Sequence, residues 1–319
     1  MARYLVTGAG GFIGSHILER LRAMGEPAEG LDNFSTGFRH NAAATSGTVV
    51  EGDINDADLL GRLLQGVEVV FHEAAVPSVP RSIADPLGTH RANVQGTLSL
   101  LVACAETGVR RIVYASSSSI YGDQPTPRKQ ESQPPDPLSP YAAQKWTGEV
   151  YCRVLGKLKG IETVALRYFN VFGPRQDPNS PYSAVIPIFI RSLLAGERPT
   201  IYGDGEQTRD FTYVGDIVEA NLKASEATGV SGEVINVAAG ERTTVNELFR
   251  IIRSRIGSDL EPMYEAPRTG DVRHSQADNS KLKRLLGFEP SHSLEDGLDR
   301  TVAWYRDSGG DPTRSPIPS

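Results

Sequence analysis

Several common features are scarce or missing in this 319-residue chain, and each gap removes a class of function. There are only two cysteines, Cys104 and Cys152, in neither CxxC nor Cys/His spacing, so a disulfide framework or zinc site is not expected and a reducing cytosol fits. No other metal site is expected. No apolar run approaches the ~20 residues needed to cross a bilayer. The start, Arg3-Tyr4-Leu5-Val6-Thr7-Gly8, has no charged segment leading into an apolar one. No basic run suggests a nucleic-acid surface, and the formal charge of -6 is spread over mixed signs. Internal repeats are absent. What remains reads as a soluble, cytoplasmic chain, long enough for one large or two intimate domains.

Up to about residue 170, short apolar runs alternate with helix-length segments, the signature of an α/β fold with a parallel sheet covered by helices. Tyr4–Val6, Val67–Phe71, Arg111–Ala115 and Thr163–Leu166 read as buried strands, with Thr48–Glu51 and Ala28–Leu31 beside them. Helices are expected over Ile13–Met24, Ala57–Leu64, Gly88–Thr107 and Tyr141–Leu158. After Phe169, proline and glycine punctuate the chain, and helices such as Val185–Leu194 and Val245–Ile256 alternate with loops. Gly232–Val237 is expected to return to the sheet. The stretch 309–319 holds three prolines and two glycines and reads as a disordered tail.

The first strand runs into Thr7-Gly8-Ala9-Gly10-Gly11-Phe12-Ile13-Gly14 and then a helix. Glycines let the backbone turn tightly and approach a pyrophosphate, whose charge the helix N-terminus favours. The spacing is GxxGxxG, at Gly8, Gly11 and Gly14, rather than GxGxxG. Asp32 follows Gly14 by 18 residues, where a carboxylate accepts adenosine ribose hydroxyls and repels a 2'-phosphate. NAD is therefore expected over NADP. Asn33 beside it offers no cation, although Arg39 is near enough to leave NADP open. Asp53 is placed either to meet the adenine or to cap a helix.

Tyr141 and Lys145 stand four residues apart, behind the serine run Ser116–Ser119. Residues i and i+4 share a helix face, and Pro140 suits the first helical position. A phenol with an ordinary pKa of about 10 is favoured as phenolate beside a cation. A tyrosine brought toward neutrality can take a proton from a sugar hydroxyl.

The glycine turn, Asp32, the serine run and Tyr141-Ala142-Ala143-Gln144-Lys145 together resemble the extended short-chain dehydrogenase/reductase family, and within it the nucleotide-sugar 4-epimerases, over nearly the whole chain. The resemblance implies a Rossmann-type doubly wound parallel sheet and a smaller α/β substrate-binding domain. Residues 1–168 plus 212–238 would bind NAD, and 169–211 plus 239–308 would bind a nucleotide sugar. Ser117, 24 residues before Tyr141, matches the catalytic serine, with Ser118 next to it, and four serines in a row leave the register open by one. Ala74 and Ala75 match small residues lining the cofactor, and Phe12, Ile13 and Ile54 are expected to bind it too. Asn93 matches a structural position. Tyr168 would flank the nicotinamide, and Asn170 would touch the sugar diphosphate. Arg209 and Arg268 match the arginines that hold the nucleotide diphosphate, a role suited to bidentate guanidinium. Asp271 would bind the nucleotide ribose. Related enzymes pair through the helices placed at Gly88–Thr107 and Tyr141–Leu158, which implies a homodimer.

Dehydratases of this family carry an Asp-Glu pair directly after the catalytic hydroxyl residue, where this chain has Ser118 and Ser119. The family's decarboxylases carry a glutamate in the same region. Neither acid is present, so 4-epimerisation through a 4-keto sugar is the expected reaction. The Val76–Ser82 segment, with Ser78, and the Phe172–Asn179 segment resemble the branch handling UDP-N-acetylhexosamines. Ser275 stands where a tyrosine closes the pocket of epimerases restricted to glucose and galactose. The expected substrates are UDP-GlcNAc and UDP-GalNAc, with UDP-Glc and UDP-Gal also accepted. A UDP-glucuronate 4-epimerase stays open, because Arg81, Arg175 or Arg273 could meet a carboxylate. So do a net NAD-dependent oxidoreductase and a non-catalytic NAD-binding module, although the Ser/Tyr/Lys set argues against the module.

Overall fold

A computed structural model describes residues 3–45, 47–126, 128–177, 185–267 and 273–308. Six strands, β1 (Tyr4–Thr7), β2 (Ala28–Asp32), β3 (Val49–Glu51), β4 (Val69–His72), β5 (Arg111–Ser117) and β6 (Glu162–Tyr168), form a parallel sheet with the Glu233–Val237 strand. The spatial order is Glu233–Val237, β6, β5, β4, β1, β2, β3. The order reverses between β1 and β4, and ligands of such sheets bind outside the carboxyl ends of the strands at that point.

Each element follows from its residues. Strand β4 is Val-Val-Phe-His with every residue buried, as a strand covered on both faces requires. Leu31 and Asp32 pair with Val50 and Glu51, so the Ala-Glu-Gly-Leu-Asp stretch is a strand despite its weak propensity, its neighbours supplying the ladder. One face of the sheet packs Ile17, Leu18 and Leu21 of the Phe12–Ala23 helix and Ile217 and Ala220 of the Val214–Glu226 helix. The other packs Leu100 and Cys104 of the Gly96–Thr107 helix and Cys152 of the Pro140–Lys159 helix. Gly148 allows this second contact, because a Cβ there would lie 2.1 Å from the Tyr114 hydroxyl on β5.

The helix expected from Gly88 begins at Pro86, with Asp85 capping it through Gly88 N–H at 2.9 Å. Between Arg91 and Gln95 it loosens into a π-helical turn before continuing to Thr107. A smaller core, of Phe172, Phe189, Ile190, Phe249, Ile252 and Leu298, joins the helices Val185–Leu194, Val245–Ile256 and Leu294–Asp307. Among the described residues, three two-stranded ladders lie outside the main sheet. No helix among the described residues is long and apolar enough to cross a membrane.

Candidate active site

The carboxyl ends of β1, β2, β4, β5 and β6 open on a cleft of ≈ 660 Å³. At its floor the glycine turn is shaped for close approach. Gly8 has φ 71°, and a Cβ on it would lie 2.7 Å from Ala74 N. A Cβ on Gly14 would lie 2.2 Å from Gly8 O, so the turn and the helix it opens interlock without side chains. The Phe12–Ala23 helix has no acidic residue in its first turn and no side-chain cap, which leaves its N-terminus to an anion. Gly8, Gly11, Phe12, Ile13 and Gly14 all line the cleft.

Asp32 ends β2 inside this cleft, with its carboxylate held by Gly10 N–H (2.8 Å) and Phe34 N–H (2.7 Å). Burial pushes its pKa up while these two amides pull it down. The carboxylate therefore braces the glycine turn as well as facing the cofactor end. Arg39 pairs with Glu51 at 2.7 Å and covers the Phe34 ring at 4.5 Å, which commits its charge elsewhere and favours NAD. Asn33 Nδ2 donates to Asp53 Oδ2 (3.2 Å), and Asp53 Oδ1 accepts from Asn55 N–H (2.8 Å). The helix cap that Asp53 could have supplied falls to Asp56, which accepts from Leu59 N–H at 3.0 Å. Asn33, Asp53, Ile54, Ala74 and Ala75 line the same wall.

At the other end stand Ser117, Tyr141, Lys145 and Tyr168. Ser139 caps the Pro140–Lys159 helix through Ala142 N–H (3.2 Å), Pro140 fills its first position, and Ser82 Oγ accepts from Tyr141 N–H at 3.0 Å. The four serines separate by role. Ser116 is buried and donates to Glu149, which also binds Arg167 through both oxygens at 2.8 and 2.7 Å. Ser117 is the last residue of β5, and its hydroxyl interacts with that of Tyr141. Ser118 opens a 3-10 turn and does not line the cleft, and Ser119 meets Ser117 at 2.9 Å. This arrangement favours Ser117 within the run.

One electrostatic expectation needs correction. The Tyr141 phenol is not lowered in this structure, because burial dominates it. The Lys145 ammonium donates to Ala115 O at 2.7 Å, 5.1 Å from the Tyr114 ring centroid. Burial pushes Tyr141 up to about 12, the Ser117 interaction pulls it down and Glu73 adds to the rise. Burial likewise lowers Lys145, against the opposing pull of Glu73. Ionising the phenol at working pH therefore requires more positive charge than this arrangement supplies.

Asn93 sits on the π turn and binds Val76 N–H (2.7 Å) and Gln144 Oε1 (2.8 Å), tying the loop after β4 to the helix turn between Tyr141 and Lys145. Ser78 lines the cleft and caps the short Val79–Ala84 helix. Arg81 lines it too and has no acidic partner among the described residues, whereas Arg175 pairs with Glu19 and Arg273 with Asp204. Glu73 was given no role from sequence. It lines the cleft and accepts from the Tyr168 hydroxyl at 2.8 Å.

A second cleft of ≈ 400 Å³, lined by Arg209 and by Phe189, Ile201 and Tyr202, shares Asn170 and Val171 with the first. Asn170 has φ 31° and donates from Nδ2 to Asp210 O at 3.1 Å, which holds the segment leaving the sheet against the Arg209 strand. Ser275 is half-buried beside Thr208, with its N–H on Thr208 O at 3.2 Å, and lines neither cleft. Arg268 and Asp271 lie outside the described residues, as does the 309–319 segment. No group of histidine, cysteine, aspartate and glutamate fit to hold a metal ion occurs among the described residues.

Residues 4–238 match the NAD dependent epimerase/dehydratase family. The UDP-glucose 4-epimerase of Mycolicibacterium smegmatis is 41% identical over 95% of this chain and 98% of that protein. Among solved structures, the UDP-N-acetylglucosamine 4-epimerase from Methanobrevibacter ruminantium superposes with TM-score 0.91 at 43% identity, covering 96% of this chain and 98% of that one. The UDP-glucose 4-epimerase of Thermus thermophilus, in complex with NAD, does so at 0.88 and 38%, covering 95% and 99%. This chain belongs to the NAD-dependent epimerase/dehydratase family, among the extended short-chain dehydrogenases/reductases. It is an enzyme of the isomerase class whose cofactor is NAD.

Proposed function

We propose that this enzyme interconverts UDP-GlcNAc and UDP-GalNAc, and UDP-Glc and UDP-Gal as well, by 4-epimerisation. The observation that carries the reaction type is the Ser117–Tyr141–Lys145 cluster, followed at Ser118 and Ser119 by hydroxyls where an elimination needs carboxylates. NAD, when bound, supplies the hydride acceptor and a fixed positive charge. The glycine turn, Asp32, Asn33, Asp53, Ile54, Ala74, Ala75 and Tyr168 form the wall proposed to hold it. Tyr141 takes the C4 hydroxyl proton through or alongside Ser117 as C4 is oxidised to the 4-keto sugar. The keto sugar turns about its diphosphate, held by Arg209 with Arg268 and Asn170, and Tyr141 returns the proton as the other face is reduced. Positioning of this kind accounts for much of an enzyme's barrier reduction.

Breadth of substrate rests on Ser78 in the cleft wall and on the resemblance at Ser275, which lines neither cleft. Incubating the protein as isolated with UDP-GlcNAc, UDP-Glc and UDP-glucuronate, without added NAD, and separating the products tests the proposal. Interconversion of the first two without NADH accumulation is expected. Turnover confined to UDP-glucuronate would instead assign Arg81 to a carboxylate, and net NADH would make the enzyme an oxidoreductase. Ser275→Tyr should abolish N-acetylated turnover and spare glucose turnover, whereas equal loss of both would remove the pocket argument.

We also propose that two copies pair through the helices ending at Thr107 and Lys159. Leu87 is 83% exposed and Leu158 72%, Val154 stands four residues before Leu158 on the same helix, and Trp146 is exposed on that helix as well. Leu158→Glu should yield monomers by sedimentation. The two cysteines are buried and free, in keeping with a cytoplasmic setting.

A further inference from the structure

We propose that Glu73 is the counter-charge of Lys145 and a positioning residue that sets the pH range over which Tyr141 works. The inference rests on Tyr141 acting as the base. Glu73 follows the end of β4, one strand across from Ala115, and lines the cleft with Ser117, Tyr141, Lys145 and Tyr168. Its carboxylate is held in place from two further elements. The Tyr168 hydroxyl on β6 donates to it at 2.8 Å, and that hydroxyl accepts from Asn221 Nδ2 at 2.8 Å. Asn221 is itself fixed to Ile217 O within the Val214–Glu226 helix at 2.8 Å. A carboxylate merely tolerated at a cleft wall would not need three elements to hold it.

Elimination then identifies its electrostatic partner. Lys145 is 4% exposed, and a buried ammonium with no carboxylate in reach tends to lose its proton. Two carboxylates act on it, Glu73 and Glu149. Both oxygens of Glu149 are occupied by Arg167, and Ser116 adds a further bond. The Glu73 carboxylate, whose only hydrogen bond among the described residues comes from the neutral Tyr168, is left to offset the lysine.

The groups facing Glu73 are Lys145 and Tyr141 from the Pro140–Lys159 helix and Tyr168 from β6. Around Lys145 lie His72, held neutral by burial, the Cys152 thiol and Glu149. Burial pushes Glu73 itself up, against the pull of the Tyr168 bond and of Lys145, and once ionised its negative charge has two consequences. It keeps Lys145 protonated to higher pH, and it resists ionisation of Tyr141. The acid limb of the rate profile, which needs Tyr141 phenolate, and the alkaline limb, which needs Lys145 ammonium, should therefore move together when that charge is removed.

The test is Glu73→Gln, purified with whatever cofactor it retains. Its kcat/KM for UDP-Glc is followed against pH, and the Tyr141 phenolate is titrated by ultraviolet absorbance with Tyr141→Phe as blank. Both limbs and the phenolate titration should move about one unit toward acid, a size typical of removing one nearby charge. Unchanged limbs and phenolate titration, with or without a lower rate, would overturn the proposal. If Glu73→Gln does not fold, Tyr168→Phe removes the bond that favours the charged carboxylate and should move both limbs the same way by less. An unmoved profile there would also overturn it. Full activity in Tyr141→Phe would refute the base assignment separately, and the proposal with it.

Discussion

Two networks built from the same chemical parts lie side by side beneath β5. The first is Ser116, Glu149, Arg167 and the Tyr121 ring, over which the Arg167 guanidinium sits at 4.7 Å. The second is Ser117, Glu73, Lys145 and Tyr141. In the first, a planar guanidinium matches a carboxylate in a fork, and both groups are about 5% exposed or less. In the second, the cation is a lysine, the carboxylate is bonded by a tyrosine rather than by the lysine, and the hydroxyls face a cleft. Both serines engage the Pro140–Lys159 helix, Ser116 at Glu149 and Ser117 at Tyr141, so the partner met on that helix separates the two. A carboxylate with both oxygens filled makes a structural fastening, and hydroxyls that face a cleft can serve a substrate.

The largest way to break that contrast is Tyr141→Phe. It should lower kcat by roughly 10²–10⁴, the usual worth of a positioned proton acceptor, while leaving the unfolding midpoint close to wild type. Arg167→Met comes next and should reverse the pattern. Stability should fall by about 3–5 kcal/mol, because Glu149 is left buried and uncompensated, and denaturant unfolding will show it. Adding Glu149→Leu should restore much of that loss, since a well-packed apolar pair often matches a buried ion pair. The paired serine variants are smaller and sharper. Ser116→Ala should cost about 1–3 kcal/mol by removing a donor from a buried carboxylate, with little change in turnover by the folded enzyme. Ser117→Ala should do the opposite, slowing turnover with little change in stability. A matching loss of stability in both would erase the division drawn between them.

Much of this site was legible in the residues. The glycine turn at Gly8, Gly11 and Gly14 and the helix-spaced Tyr141 and Lys145 are local patterns, and local patterns survive folding. The alternation of strands and helices gave the sheet as far as β6, because buried parallel strands are continuous apolar runs. The role of Glu73 was not legible. It depends on β4, β6 and the Val214–Glu226 helix meeting, and that helix was not read at all. The charge pairing was hidden for a related reason. Lys145 and Glu149 are four residues apart and pair on paper, yet Arg167, eighteen residues beyond Glu149, takes the carboxylate because its fork fits both oxygens. The division among Ser116, Ser117 and Ser118 needed the strand's end point, which a run of identical residues cannot mark.

The π turn at Arg91–Gln95 has a consequence for how this chain tolerates change in length. A helix with such a turn holds one residue more than an α-helix of the same span. Deleting one residue inside it would leave a sound α-helix of the same span, with the flanking turns on their faces and the residues of the turn itself re-aimed. Asn93 would then turn away from Val76 and Gln144, and the loop after β4 would lose its tie to the turn that carries Tyr141. Along this stretch the spacing of the chain is guarded more strictly than its composition, so shortened variants should fail where many point substitutions pass.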